Sequence, residues 1–162
     1  MPVPAVIAAA AENYRFNSQF LENSVKYLSP EEWLRRPAAN MNHIGWIVGH
    51  MAWTRGRLLH FIGVEWPQPA LDLFGRGVKL QDDSAYPPPE SLLDTWREST
   101  SVLNDALENV SGDVLAKPVT QGPPSADGKI SGIVNFLAIH ETYHGGQISY
   151  LRCWLGHKGL MG

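Results

Sequence analysis

The chain has only one cysteine among its 162 residues, so it forms no internal disulfide and its fold does not depend on an oxidising compartment. It also has no excess of basic residues, since 13 Lys and Arg stand against 16 Asp and Glu, and no basic run supplies a local patch. That balance excludes the electrostatic footprint of a nucleic-acid-binding protein. No stretch approaches the ~20 uninterrupted apolar residues of a membrane span. We therefore expect a cytoplasmic protein with neither nucleic acid nor membrane as partner.

Proline is absent from four long stretches. The chain has 12 prolines, yet none falls within 5–29, 38–66, 90–117 or 125–162. Because proline breaks helix interiors, long helices fit only there. Apolar residues recur in these stretches at spacings of three and four. This periodicity predicts helices over roughly 4–28, 42–62, 89–110 and 131–155. Asn40 or Asn42 is expected to cap the second helix. The sequence predicts a single all-α domain over 1–162, a four-helix bundle with two long connections, 64–88 and 111–130. We expect the first connection to cover a site.

The predicted fourth helix carries two histidines in the middle of its apolar stripe. On a helical wheel His144 lies about 40° from His140 on one side, and Gln147 lies about 20° from His140 on the other side. The rest of the stripe is apolar and includes Ile133, Phe136, Leu137, Leu151 and Trp154. Burying polar groups is costly unless something satisfies them, and imidazoles at i and i+4 are close enough to bind one metal ion together. The alternative is a pair of core histidines bonded to neighbouring side chains.

A third histidine lies in the apolar stripe of the predicted second helix. His50 shares that stripe with Trp46, Ile47, Trp53 and Phe61. If the two helices pack with these faces inward, His50, His140 and His144 offer three nitrogens and leave a coordination position open, which is typical of a catalytic metal site. The other histidines are expected on the surface or behind the site: His43, His60 and His157. Cys153 projects about 180° away from His144, so it cannot share the metal and is expected to be packed elsewhere.

Residues 140–144 read His-Glu-Thr-Tyr-His, which matches the HExxH signature of zinc metalloproteases. In that signature the glutamate is the general base, so Glu141 is a candidate catalytic residue. A protease of this type also needs a third ligand downstream, and no Asp or Glu follows Glu141. The protease interpretation is therefore the weaker one, although Glu141 projects only about 60° from His144 and could approach a water there.

Two segments of the chain together resemble a known family. The segments are His140-Glu-Thr-Tyr-His144-Gly-Gly-Gln147-Ile148 and Asn42-His-Ile-Gly-Trp-Ile-Val-Gly-His50-Met-Ala-Trp53. They are similar to the DinB/YfiT-like family of four-helix-bundle metalloenzymes. The resemblance implies a divalent metal, zinc or nickel, held by His50, His140 and His144, with water completing its shell. It also implies a homodimer and, from characterised relatives, thiol-dependent transfer or isomerisation with bacillithiol, mycothiol or glutathione.

Three further side chains are candidates for the chemistry. Arg57 could bind the carboxylates of a thiol cosubstrate, Gln147 could orient a ligand imidazole, and Tyr143 could donate a proton or form a pocket wall. The alternatives are a surface position for Arg57 and core packing for Tyr143. Two classes of function stay open: a metal-dependent transferase or hydrolase acting on a small molecule, and a metal-binding bundle without catalysis, such as a stress-responsive module.

Small residues form a strip on the predicted second helix. Gly45, Gly49, Ala52 and Gly56 fall on one side, about 100° to 160° from His50. Glycine in a helix interior costs roughly 1 kcal/mol relative to alanine. We therefore expect another helix, within the bundle or across a dimer, to pack closely against this strip.

Overall fold

Four long helices form the body of the structure, a computed structural model that describes residues 3–67 and 73–160. In these ranges there are six α-helices and no strand: α1 (Ala8–Val25), α2 (Pro30–Leu34), α3 (Ile44–Phe61), α4 (Pro89–Asn109), α5 (Gly112–Leu115) and α6 (Ile130–Trp154). Helix α1 packs against α4 and α6, and α3 packs against the same two helices. The predicted all-α four-helix bundle is confirmed. No helix in the described ranges has the length and apolarity that crossing a membrane requires.

Local signals set the helix ends, and two of them differ from the prediction. Helix α3 is capped by His43 rather than by Asn40 or Asn42, because the His43 Nδ1 accepts the Trp46 N–H at 3.0 Å. Helix α1 ends at Val25, earlier than predicted, since Lys26 is extended and Tyr27 has φ of 70°. These changes shift the ends of the helices and leave most of their inward faces where the periodicity placed them, although Trp154, predicted in the buried stripe of α6, is 40% exposed.

The core consists of two apolar clusters along the bundle. One joins the first half of α3 to the last half of α6 and includes Trp46, Ile47, Met51, Ile148 and Leu151. The other joins the opposite halves and includes Leu58, Leu59, Ile133, Val134 and Leu137. Helices α3 and α6 therefore run antiparallel. Buried polar residues interrupt the apolar surface between the clusters, with Arg55 on α3 and Glu141 and His144 on α6.

The strip of small residues on α3 is covered, but not only by a helix. A Cβ atom on Gly45 would lie 3.6 Å from Cδ1 of Leu92 in α4, which confirms the expected close approach at that point. A Cβ atom on Gly49 would overlap the ring of Phe74, so the cover there is the connection after α3. This connection lies across α3 as expected, although its residues 68–72 fall outside the described ranges.

Candidate metal centre

Three imidazoles from two helices meet inside the bundle. His50 comes from α3, and His140 and His144 come from successive turns of α6. One nitrogen from each ring lies within 4.8 Å of the others. The Nε2 atoms of His140 and His144 are 3.1 Å apart, close to the roughly 3.3 Å that two nitrogens on one tetrahedral zinc ion have at Zn–N distances of about 2.0–2.1 Å. The structure thus brings together the three residues that the wheel geometry selected.

Hydrogen bonds orient two of the three rings. The His50 Nδ1 lies 2.7 Å from the carbonyl oxygen of Phe74, and the His144 Nδ1 lies 2.7 Å from Oε1 of Gln147. Both oxygens only accept, so each Nδ1 carries the proton and each Nε2 keeps its lone pair. Partners of this kind fix the tautomer and direction of metal-binding histidines. Gln147 therefore lies where a group that orients His144 is expected.

The surroundings keep the imidazoles neutral. Burial lowers the pKa of His50, and it lowers the pKa of His140 with a further contribution from His50. Burial also lowers the pKa of His144 to about 4, against the opposing hydrogen bond from Gln147. Neutral imidazole is the form that binds a metal ion, so the cluster has ligands ready at pH 7 without losing protons.

Aromatic side chains surround the cluster. The ring of His50 stacks with Trp46 at 4.8 Å and with Trp53 at 5.7 Å between centroids. Phe136 stacks with His140 at 6.2 Å, and Tyr143 meets His144 edge-on at 5.2 Å. These contacts place each imidazole against at least one aromatic neighbour, which limits the orientations of the rings.

The donor set fits a divalent cation. Two of the rings are fixed through Nδ1, and all three present nitrogen to one small region. In the part of the chain that the structure describes, no fourth His, Cys, Asp or Glu joins the group. Structural zinc sites have four protein ligands, whereas catalytic sites have three and an open position. The three imidazoles have the ligand number of the second kind of site.

Glu141 is not part of this centre, contrary to the expectation from the HExxH pattern. Its two carboxylate oxygens accept hydrogen bonds from Nε and Nη2 of Arg55, both at 2.8 Å, and the residue is 2% exposed. A carboxylate held on both oxygens by a guanidinium inside the bundle has no access to a water at the cluster. This pairing speaks against Glu141 as a general base and against the protease interpretation.

Of the other predicted site residues, Arg57 lies away from the centre, whereas Tyr143 and Gln147 lie beside it. Arg57 is exposed, with its guanidinium 5.7 Å from the ring of Phe61, so it is not brought to the centre. Tyr143 is 62% exposed rather than packed in the core, and its hydroxyl accepts the Gln147 Nε2–H at 3.0 Å. Gln147 therefore connects Tyr143 to His144.

The remaining histidines and the cysteine lie away from the cluster. His43 caps α3 and is fully buried, and His60 is exposed. His157 places its Nε2 2.8 Å from a carboxylate oxygen of Glu32. Cys153 is free and exposed, not packed as expected. None of them joins the group of three ligands in the described ranges.

Arg55 is the residue that the sequence analysis missed. It is 1% exposed and points about 140° away from His50 on α3, so the metal stripe does not include it. A signal was present, because Glu141 is the only acidic residue of α6 and lies beside a buried stripe. A buried carboxylate needs a cationic partner, and α3 offers only Arg55 and Arg57.

A cavity of about 660 Å³ lies beside the centre. Gln147 and Tyr143 form part of its wall, together with Tyr150 and the amides of Asn40 and Asn42. No charged side chain lines it. Its volume is in the range of small-molecule sites, ~300–1,000 Å³.

Comparison with known proteins agrees with these observations. A sequence model of the DinB superfamily matches residues 14–148, a range that contains His50, His140 and His144. A comparison with curated proteins found no match. The match spans most of the chain, and the chain therefore belongs to the DinB superfamily.

Proposed function

We propose that this protein is a metal-dependent enzyme acting on a small molecule, with a divalent cation held by His50, His140 and His144. The proposal is carried by one observation: three neutral imidazoles converge, and no fourth protein ligand joins them in the described ranges. The superfamily is generally metal-binding, which supports it. An all-imidazole donor set suits zinc and nickel, and we propose one of these.

The chemistry we propose is thiol transfer or hydrolysis. A divalent cation in such a site acts as a Lewis acid and lowers the pKa of a thiol or water that occupies the open position. Phe74 and Gln147 hold the rings of His50 and His144 in place. Because the Tyr143 hydroxyl accepts from Gln147, its own proton stays available to a molecule in the cavity.

We propose that the cavity beside Gln147 takes the substrate. Its lining is aromatic, amide and aliphatic without a charged side chain, which favours an uncharged acceptor. Arg57, the predicted partner of the carboxylates of a thiol cosubstrate, is exposed and is not part of this lining. A low-molecular-weight thiol stays part of the proposal as cosubstrate. The single cysteine of the chain fits the reducing cytoplasm, where such thiols act.

We also propose a homodimer formed through α6. Ile139, Tyr150 and Trp154 on this helix are 64%, 64% and 40% exposed, while its two charged residues, Glu141 and Arg152, are buried. A face that meets its own copy about a two-fold axis avoids like charges, and the exposed side chains that α6 itself contributes are uncharged, with Arg35 lying 5.3 Å from the Trp154 ring at one end. Light scattering is expected to give a dimer for the wild type and a monomer for Tyr150→Glu. A monomeric wild type, or a dimeric Tyr150→Glu, contradicts the proposal.

The metal centre is tested by elemental analysis after incubation with zinc or nickel and removal of free ions. We expect one ion per chain in the wild type and none in His144→Ala. His60→Ala is the matched control, because His60 is an exposed histidine of α3 outside the cluster. A wild type that holds no more metal than His144→Ala contradicts the proposal.

Catalysis is tested on the loaded protein with bacillithiol, mycothiol and glutathione, each paired with uncharged electrophilic acceptors, and with ester and amide substrates. We expect turnover that chelation removes and that His50→Ala lacks. Stoichiometric metal without turnover in any assay favours the alternative, a metal-binding bundle without catalysis.

A further inference from the structure

A second buried polar layer joins the same two helices as the three imidazoles. Arg55 of α3 and Glu141 of α6 are 1% and 2% exposed and form two hydrogen bonds of 2.8 Å. Glu141 directly follows His140, and Arg55 lies about 7.5 Å beyond His50 along α3. The ion pair and the histidine cluster are thus neighbouring connections across one helix interface.

The other two long helices complete this layer. The Arg55 Nη2 also donates to Oγ of Ser18 in α1 at 2.8 Å, and Nη1 donates to Oγ1 of Thr100 in α4 at 2.6 Å. The guanidinium carbon lies 3.5 Å from the ring centroid of Trp96. The pair therefore connects α1, α3, α4 and α6 at one level.

Stability alone does not account for an ion pair in this place. Desolvating two charges costs about as much as pairing them returns, and apolar residues of similar volume often serve as well. The hydrogen bonds of the pair are directional, and the apolar contacts around them are not. Apolar contacts tolerate axial sliding, whereas a shift of α3 against α6 by one residue, about 1.5 Å, would break both 2.8 Å bonds. Buried polar residues between helices fix register in this way.

We propose that Arg55 and Glu141 are positioning residues that fix the axial register of α3 against α6 and so hold His50 opposite His140 and His144. The inference rests on the proposed metal centre. His140 and His144 are one turn apart on a single helix, so their spacing does not depend on packing. His50 comes from the other helix, and its position does. Loss of the ion pair therefore affects the third ligand first.

The test is a double variant, Arg55→Met with Glu141→Leu, which removes both charges and leaves an apolar pair. The hydroxyls of Ser18 and Thr100 stay satisfied, because they already donate to the carbonyls of Tyr14 and Trp96 at 2.7 and 2.9 Å. Circular dichroism and urea unfolding report the fold, competition with a chromophoric chelator reports zinc affinity, and Co²⁺ absorption reports ligand geometry. We expect a urea midpoint at or above that of the wild type, zinc affinity at least about 10-fold weaker, and a changed Co²⁺ spectrum.

The matched control is Arg97→Met with Glu22→Leu. Arg97 of α4 donates from Nε and Nη2 to the two oxygens of Glu22 in α1, both at 2.9 Å. This pair has the same fork geometry but is 56% and 35% exposed, and it joins helices that carry no ligand. We expect wild-type zinc affinity and the wild-type Co²⁺ spectrum.

A folded double variant with wild-type zinc affinity and Co²⁺ spectrum overturns the proposal. If the double variant does not fold, Arg55→Lys decides, since lysine keeps the cation and lacks the fork. We then expect intact helical content with zinc binding about 10-fold weaker, and wild-type affinity overturns the proposal. A wild type that binds no zinc contradicts the proposed function itself, whereas unchanged binding in the variants contradicts the register role alone.

Discussion

Two polar layers cross the interface between α3 and α6, and they differ in how far the protein satisfies their atoms. In the Arg55–Glu141 layer, both carboxylate oxygens and all three guanidinium nitrogens have partners. In the histidine layer, the Nε2 atoms of His140 and His144 are hydrogen-bonded only to each other, at 3.1 Å, and the His140 Nδ1 has no hydrogen-bond partner in the described ranges. A buried polar group with all its partners specifies packing, whereas convergent atoms without them indicate a ligand.

This difference divides the motif at residues 140–144. Its two histidines belong to the histidine layer, in which the His140 Nδ1 lacks a partner, while the glutamate directly after the first histidine belongs to the fully bonded layer. Successive residues of a helix point about 100° apart, so neighbours in sequence reach different layers. A motif match therefore assigns no role to Glu141 until the partner of its carboxylate is known.

The largest predicted difference between the layers is the loss of unfolding free energy in Glu141→Ala. The substitution leaves the Arg55 guanidinium buried without its carboxylate, which costs about 3–5 kcal/mol of unfolding free energy. Urea denaturation of the metal-free protein measures the loss. Glu22→Ala is the control, because the exposed pair with Arg97 contributes about 0–1 kcal/mol. If both substitutions cost the same, the Arg55–Glu141 layer is not the structural one.

A smaller effect is expected from Gln147→Leu, which removes the acceptor of the His144 Nδ1–H. Without it the ring is free to change tautomer and direction, and zinc binding is expected to weaken about 10–100-fold. Competition with a chelator measures the affinity. Tyr143→Phe is the control, since it removes only the hydroxyl at the far side of Gln147 and should have a weaker effect. Equal affinities in Gln147→Leu and the wild type show that Gln147 does not hold His144.

The sequence predicted the histidine layer because the information is local. Helical periodicity places His140 and His144 on one stripe and His50 on another, and a buried stripe must face a neighbour. The ion pair depends on which helices are adjacent and at what level they meet. Arg55 and Glu141 are 86 residues apart in sequence, and neither stripe contains them.

Two other contacts were beyond prediction for different reasons. The acceptor of the His50 Nδ1–H is the backbone carbonyl of Phe74, and every residue type has such a carbonyl. Only Gly49, whose missing side chain makes room for the Phe74 ring, hinted at the close approach. The cap of α3 was assigned to asparagine because asparagine is the commoner cap residue, but a buried His43 nitrogen takes that place.

The smallest predicted effect is on the pH dependence of stability. It comes from His43, a buried imidazole that belongs to neither layer. Burial, assisted by Arg36, lowers its pKa to about 4, against about 6.5 in an unfolded chain. Between these values the unfolded state binds a proton that the folded state excludes. The contribution to stability is therefore complete above pH 6.5 and is lost as pH falls towards 4. The same holds for His144 in the metal-free protein.

His43→Asn isolates the contribution of the His43 titration to the acid sensitivity. Asparagine keeps a side-chain acceptor for the first turn of α3 but does not titrate. The unfolding free energy of the metal-free protein should therefore fall less steeply between pH 6.5 and pH 4. The expected change in slope corresponds to up to about one fewer proton taken up on unfolding. Urea unfolding at successive pH values measures this slope, and His60→Asn, at an exposed position, should leave it unchanged. An unchanged slope in His43→Asn would assign the acid sensitivity to the histidine layer alone. A metal ion bound there would extend that sensitivity to lower pH, because protonation and metal binding compete for the same nitrogens.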